Sequence, residues 1–175
     1  MDVDRAPSDI RLQIFYIFTK LKPEALNSRI QPLHTLRLAL KDLGCPYIHE
    51  ISFLDRSKRR AECYVNEADA QKFVEVMRKA KMLDENFNPL TAPPHKPEVT
   101  QDEAQKRLMQ RRAYIVASTH FGPLKRAAAD TLGAEMSGIV RERATAIRLS
   151  RDSESPKPVT NARKAHPLPP IYEWG

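Results

Sequence analysis

The sequence predicts an α+β fold: a β-α-β-β-α domain over residues 1–90, followed by a helical, proline-rich C-terminal extension. Three observations predict it. Runs rich in β-branched and aromatic residues recur at 11–18, 46–54 and 59–65, the signature of strands. Apolar stripes at helical spacing lie between and after them. Beyond residue 90 the character changes, with basic helical patterns set between proline clusters.

The first run, Arg11-Leu-Gln-Ile-Phe-Tyr-Ile-Phe18, places Leu12, Ile14, Tyr16 and Phe18 on one face and Phe15 and Ile17 on the other. Both faces are apolar, which predicts a strand central in its sheet. Leu33, Leu36, Leu40 and Leu43 then recur at helical spacing, giving a helix over 29–43 that Gly44 terminates. In the second strand, 46–54, Tyr47, His49, Ile51 and Phe53 alternate onto one face. A turn at 55–58 leads into the third strand, 59–65. Asn66 opens a helix over 67–82 with Ala70, Phe73, Val74 and Met77 as its buried stripe. Arg78, Lys79 and Lys81 fall near its end, where the helix dipole favours cations. Residues 86–90 offer a short fourth strand.

Residues 91–100, with Pro93, Pro94 and Pro97, read as an extended linker. Thr100 and Glu103 form a capping box for a helix running to about Ala117. Gly122-Pro123 breaks the chain, and helices follow at about 124–132 and 135–150. The stretch 152–175 carries five prolines and ends Ile-Tyr-Glu-Trp-Gly; its composition suits a tail laid onto a partner.

Charge points to function. Residues 1–90 hold 15 Lys/Arg against 13 Asp/Glu, whereas residues 91–175 hold 14 against 9. The basic excess lies in the second half and suits a polyanion. Catalytic constellations are missing. Cys45 and Cys63 match no zinc or redox spacing, and the histidines at 34, 49, 95, 120 and 166 are scattered. Neither a phosphate-cradling glycine loop nor a dinucleotide fingerprint occurs. The expectation is a protein that is not an enzyme, with no catalytic residues, no metal, no cofactor and no small-molecule substrate. No stretch approaches the apolar length of a membrane span. The acidic start, Met-Asp-Val-Asp-Arg, does not read as a signal peptide or a mitochondrial presequence.

The basic residues form candidate sites. Arg56, Lys58, Arg59 and Arg60 cluster at one hairpin. Lys106, Arg107, Arg111 and Arg112 lie close together on one helix, and Arg141 and Arg143 lie on another. These are the expected RNA contacts; a salted edge strand or a solvated helix face would use the same residues structurally. In the tail, Tyr172 and Trp174 are expected partner anchors, since such aromatics suit both bases and protein grooves.

Three segments carry a resemblance: Leu12-Gln-Ile-Phe-Tyr-Ile-Phe18, Arg59-Arg-Ala-Glu-Cys-Tyr-Val65 and Glu67-Ala-Asp-Ala-Gln-Lys-Phe-Val74. Through them residues 11–85 resemble an RNA-recognition-motif domain, or another ferredoxin-like domain. That family stacks bases on paired aromatics of its third strand, whereas here Tyr64 is the sole aromatic of that strand. The resemblance therefore implies a protein contact for the sheet and RNA contacts for the basic edges. A small domain with long basic extensions also resembles accessory proteins of organellar ribosomes. The expectation is a mitochondrial ribosomal component contacting rRNA and neighbouring subunits. Two alternatives stand beside it: an accessory subunit of a respiratory or ATP synthase complex, and a free regulatory RNA-binding protein.

Overall fold

The computed structural model describes residues 10–21, 32–54, 57–92 and 98–153. Among them the chain is α+β, with three strands and five helices. These are β1 (Leu12–Phe18), α1 (Pro32–Asp42), β2 (Ile48–Phe53), β3 (Arg60–Asn66), α2 (Ala70–Lys79), α3 (Gln101–Ser118), α4 (Gly122–Asp130) and α5 (Ala134–Ser153). The sheet is antiparallel in the order β1-β3-β2, with Ile14 opposite Tyr64 and Ile51 opposite Cys63.

The central strand is β3, which is buried from Ala61 to Val65. The expectation that residues 11–18 form the central strand is corrected. β1 is apolar on both faces because helices cover both faces. Its outer edge meets a short piece of chain instead: Phe18 donates to the Met82 carbonyl and Asp84 donates to the Tyr16 carbonyl, around a single bridge between Ile17 and Leu83. A strand at 86–90 does not form. There the Asn88 side chain accepts from the Leu90 amide, and the Asn88 carbonyl accepts from Ala92, a local turn that competes with strand pairing.

One face of the sheet presents Phe15, Ile17, Ile51, Ala61, Cys63 and Val65 to α1 and α2. Leu36 and Leu40 of α1 and Phe73 and Met77 of α2 are buried against it, and the Phe15 and Phe73 rings lie 5.1 Å apart. Gly44 ends α1 at φ 84°, a conformation that costs glycine little. A bulge between Ile48 and Glu50 breaks the expected alternation along β2. Ile48 and Ile51 both turn into this core, while His49 packs away from it against Phe121. The helix expected over 67–82 is shorter. It starts as a 3-10 turn capped by the Asn66 side chain and ends at Lys79.

The opposite face is covered by the extension. Leu12, Ile14 and Tyr64 pack with Met109, Ala113, Val116, Leu124, Ala128 and Val140. Thr100 caps α3 by accepting from the Glu103 amide. Gly122-Pro123 opens α4 rather than interrupting helical structure, because a proline is tolerated in a first turn; the break lies at 119–121. Helix α5 runs parallel to α3, joined to it through Arg143–Lys106, Arg148–Val116 and Arg151–Ser118 contacts. Buried alanines at 113, 127, 128, 129 and 144 let these helices approach closely. Ala128→Leu is therefore expected to lower stability by about 1–3 kcal/mol through overpacking, read as an earlier urea midpoint.

Candidate polyanion surface and adjoining cleft

The sheet face opposite α1 and α2 is covered by α3–α5 over a buried ion pair. Arg112 lies on the apolar stripe of α3 with Leu108, Met109, Ala113 and Val116, so the helix carries its side chain onto the sheet. Its guanidinium meets Glu62 of β3 at 2.9 Å, both side chains fully buried. The same nitrogen lies 3.3 Å from the Tyr16 hydroxyl. The other terminal nitrogen donates to the Ala128 carbonyl at 3.1 Å and to the Thr131 hydroxyl at 2.7 Å, filling acceptors that the end of α4 leaves open. Tyr64 and Tyr16 donate to the two Glu62 oxygens at 2.8 and 3.0 Å.

Burial pushes the Glu62 carboxyl up, but the Arg112 and Arg111 charges and the hydrogen bonds from Arg112 and Tyr64 outweigh it and hold it below the usual carboxylate range. Burial, with the Glu62 charge, raises both tyrosine hydroxyls, which remain neutral donors. The expectation that Arg112 meets phosphate is corrected: its charge is matched inside the protein.

Several other expected contacts have internal partners. Arg60 pairs with Asp84 at 2.8 Å and lies over the Phe18 and Phe87 rings at 5.2 and 4.2 Å. Arg141 donates to both oxygens of Asp130 at 2.9 and 3.1 Å, on the surface. Arg56, Tyr172 and Trp174 lie outside the described residues.

The other expected residues lie on the hairpin, α3 and α5. Leu54 and Arg60 close the hairpin whose turn carries Lys58, at φ 57°, and exposed Arg59. Arg111 reaches the base of that hairpin, donating to the Leu54 carbonyl at 3.3 Å. Arg107 lies one turn earlier on the same face of α3, beside exposed Lys106. Arg143 of α5 donates to the Lys106 carbonyl at 3.4 Å. Lys58 and Arg59 thus lie on the hairpin whose base Arg111 reaches, and Arg143 of α5 meets α3 at Lys106.

β2 and the α3–α4 turn line an open cleft of about 470 Å³, its residues including Tyr47, His49, Glu50, Ser118, Thr119 and Phe121. His49 stacks on Phe121 at 5.2 Å, and Tyr47 meets His49 edge-on at 4.9 Å. Burial lowers His49 against the raising charge of Asp69. Burial raises Glu50, opposed by Arg37 and a backbone hydrogen bond from Ile51. Sequence reading missed this cleft because Phe121 lies about 70 residues from its stacking partner and no local pattern links them.

Among the described residues no cluster of three or more His, Cys, Asp or Glu side chains is placed to hold a metal, and no helix is long and apolar enough to cross a membrane. Burial pushes the Cys45 thiol up to about 11 and raises Cys63 further, opposite to the depression that activates a nucleophilic thiol. Among the described residues the fold is an α+β scaffold whose sheet is covered on both faces by helices. The chain matches no protein family, no curated protein and no solved structure.

Proposed function

We propose that this protein is a non-catalytic structural component of a large ribonucleoprotein, the mitochondrial ribosome by resemblance of architecture, contacting rRNA and neighbouring proteins. The observation that supports the reading is that Arg111 of α3 reaches the base of the hairpin and Arg143 of α5 reaches α3 at Lys106; with Lys58, Arg59, Lys106 and Arg107 on the same three elements, we read these cations as one basic band. The order β1-β3-β2, with α1 and α2 on one face, supports a ferredoxin-like origin for the first half. The closure of the other face by α3–α5 removes base stacking on the sheet. RNA is then held chiefly through phosphates, by a surface with little sequence preference.

Binding of an rRNA fragment, followed by fluorescence anisotropy from low to physiological salt, tests this. The expected result is an affinity falling steeply with salt. The triple variant Arg59→Ala/Lys106→Ala/Arg107→Ala is expected to flatten the log–log slope by about 2–3. An affinity absent, or indifferent to salt, overturns the reading. A native particle that ribonuclease leaves intact favours instead an accessory subunit of a respiratory or ATP synthase complex, bound through protein contacts.

A further inference from the structure

We infer that the cleft between β2 and the α3–α4 turn is a nucleotide site for single-stranded RNA, taking one base against Tyr47 with its phosphate at Arg151. This rests on the RNA reading above and adds to it a place where a base is read.

Three observations carry the inference. The first is the aromatic wall. Tyr47 is 69% exposed, and its ring is braced from one side by His49, itself stacked on Phe121. An aromatic ring fixed by its neighbours and open to solvent is the form that base-stacking platforms take. His49 is held toward its neutral form by burial, so the stack adds π surface rather than a second cation. A volume of about 470 Å³ lies within the range of small-ligand sites, about 300–1,000 Å³.

The second is the polar complement. Glu50, Ser118 and Thr119 share the cleft. A Glu carboxylate accepts from an exocyclic amino group such as that of cytosine, which uracil lacks. Arg151 holds Ser118 through both terminal guanidinium nitrogens at 3.3 Å, and it is exposed. A cation is therefore tethered at the rim of the aromatic cleft, the pairing that a nucleotide with its phosphate requires.

The third is continuity with the band. Arg107, Arg111, Tyr114 and Ser118 fall at positions i, i+4, i+7 and i+11, one face of α3. Tyr114 is 49% exposed between the cations and the cleft. Arg111 and Ser118 are separated by about 10 Å of helix. A strand whose phosphates follow the band reaches the cleft within a short span and meets aromatics as it does so.

The test uses the full-length chain, with ten-nucleotide oligo(C), oligo(U) and a duplex RNA of equal length, in anisotropy titrations over several salt concentrations. Oligo(C) is expected to bind more tightly than oligo(U). Tyr47→Ala, at an exposed position, is expected to cost single-stranded RNA about tenfold in affinity and to leave duplex binding and the salt slope unchanged. Glu50→Gln is expected to narrow the gap between oligo(C) and oligo(U). If the wild-type chain binds all three RNAs in a salt-dependent way but Tyr47→Ala changes none of them, the cleft is no base site while the band stands. If cytidine monophosphate binds as tightly as oligo(C), the cleft serves a small ligand rather than a strand, and the inference fails. A gain in single-stranded affinity on deleting residues 154–175 makes the chain's own terminus the occupant, which overturns it too. No RNA binding at all removes both the band reading and the cleft.

Discussion

Arg112→Ala is expected to destabilise the protein by about 3–5 kcal/mol, the usual cost of removing one partner from a buried ion pair. The loss exceeds that of an ordinary surface arginine because Glu62 then stays fully buried without its cation, and the Ala128 carbonyl and Thr131 hydroxyl lose a donor. Urea unfolding at neutral pH reads the effect. The double variant Glu62→Gln/Arg112→Met is expected to recover much of the loss, since it removes both charges and leaves Tyr64 a carbonyl acceptor.

The pH dependence separates charge from packing. In the wild type Glu62 titrates below its usual range. Its contribution is therefore present above the unfolded carboxylate pKa, about 4.3, and is lost as pH falls through the lower folded value. In Arg112→Met the burial is retained and the strongest opposing charge is gone. Glu62 is then pushed upward, and the penalty appears above the unfolded pKa and disappears in acid. As far as this residue sets it, the wild type is thus expected to lose stability as pH falls below about 4.3 and to change little from there to pH 7, whereas Arg112→Met is expected to lose stability as pH rises from 4 to 7. Equal slopes in the two proteins would mean that the pair contributes packing and little charge.

The positions of the strands and helices were legible because each rests on a local pattern: alternation in Leu12–Phe18, leucine spacing at 33, 36 and 40, a Thr100 cap three residues before Glu103. What covers each face was not, because that is a property of the assembled layers. An apolar strand with two buried faces reads the same whether neighbouring strands or a second helical layer accompany it. Arg112 shows where a signal existed. It stands at i+4 from Leu108 and i−4 from Val116, inside the apolar stripe of its own helix, and Glu62 stands between buried neighbours in β3. A charge on an apolar stripe asks for an opposite charge on what it packs against. Arg60 and Arg141 carried no comparable signal, since Asp84 and Asp130 come to them through turns and chain reversals.

A fragment ending at residue 92 is expected not to fold as a cooperative unit. Removing α3–α5 bares Leu12, Ile14, Tyr16 and Tyr64 on one face of a three-stranded sheet. Restoring water to side chains of this size costs roughly 1.5–3 kcal/mol for each that was fully buried, and Tyr64 is fully buried. Partial burial of the other three still brings the sum to about 5 kcal/mol or more, within the whole stability of a typical domain, about 5–15 kcal/mol. Glu62 would also stand on that face with no guanidinium to meet it. The expected observations are dye binding to exposed apolar surface, weak near-ultraviolet circular dichroism and a broad urea transition, against a single sharp transition for the full chain. A sharp transition in the fragment would show that the α1–α2 face alone suffices. It would also reopen the sheet face to RNA, since base stacking beside Tyr64 is blocked by α3 and α4. The fragment should accordingly fail to bind single-stranded RNA, lacking both Arg111 and the Phe121 wall of the cleft, and binding by a folded fragment would return the recognition surface to the sheet.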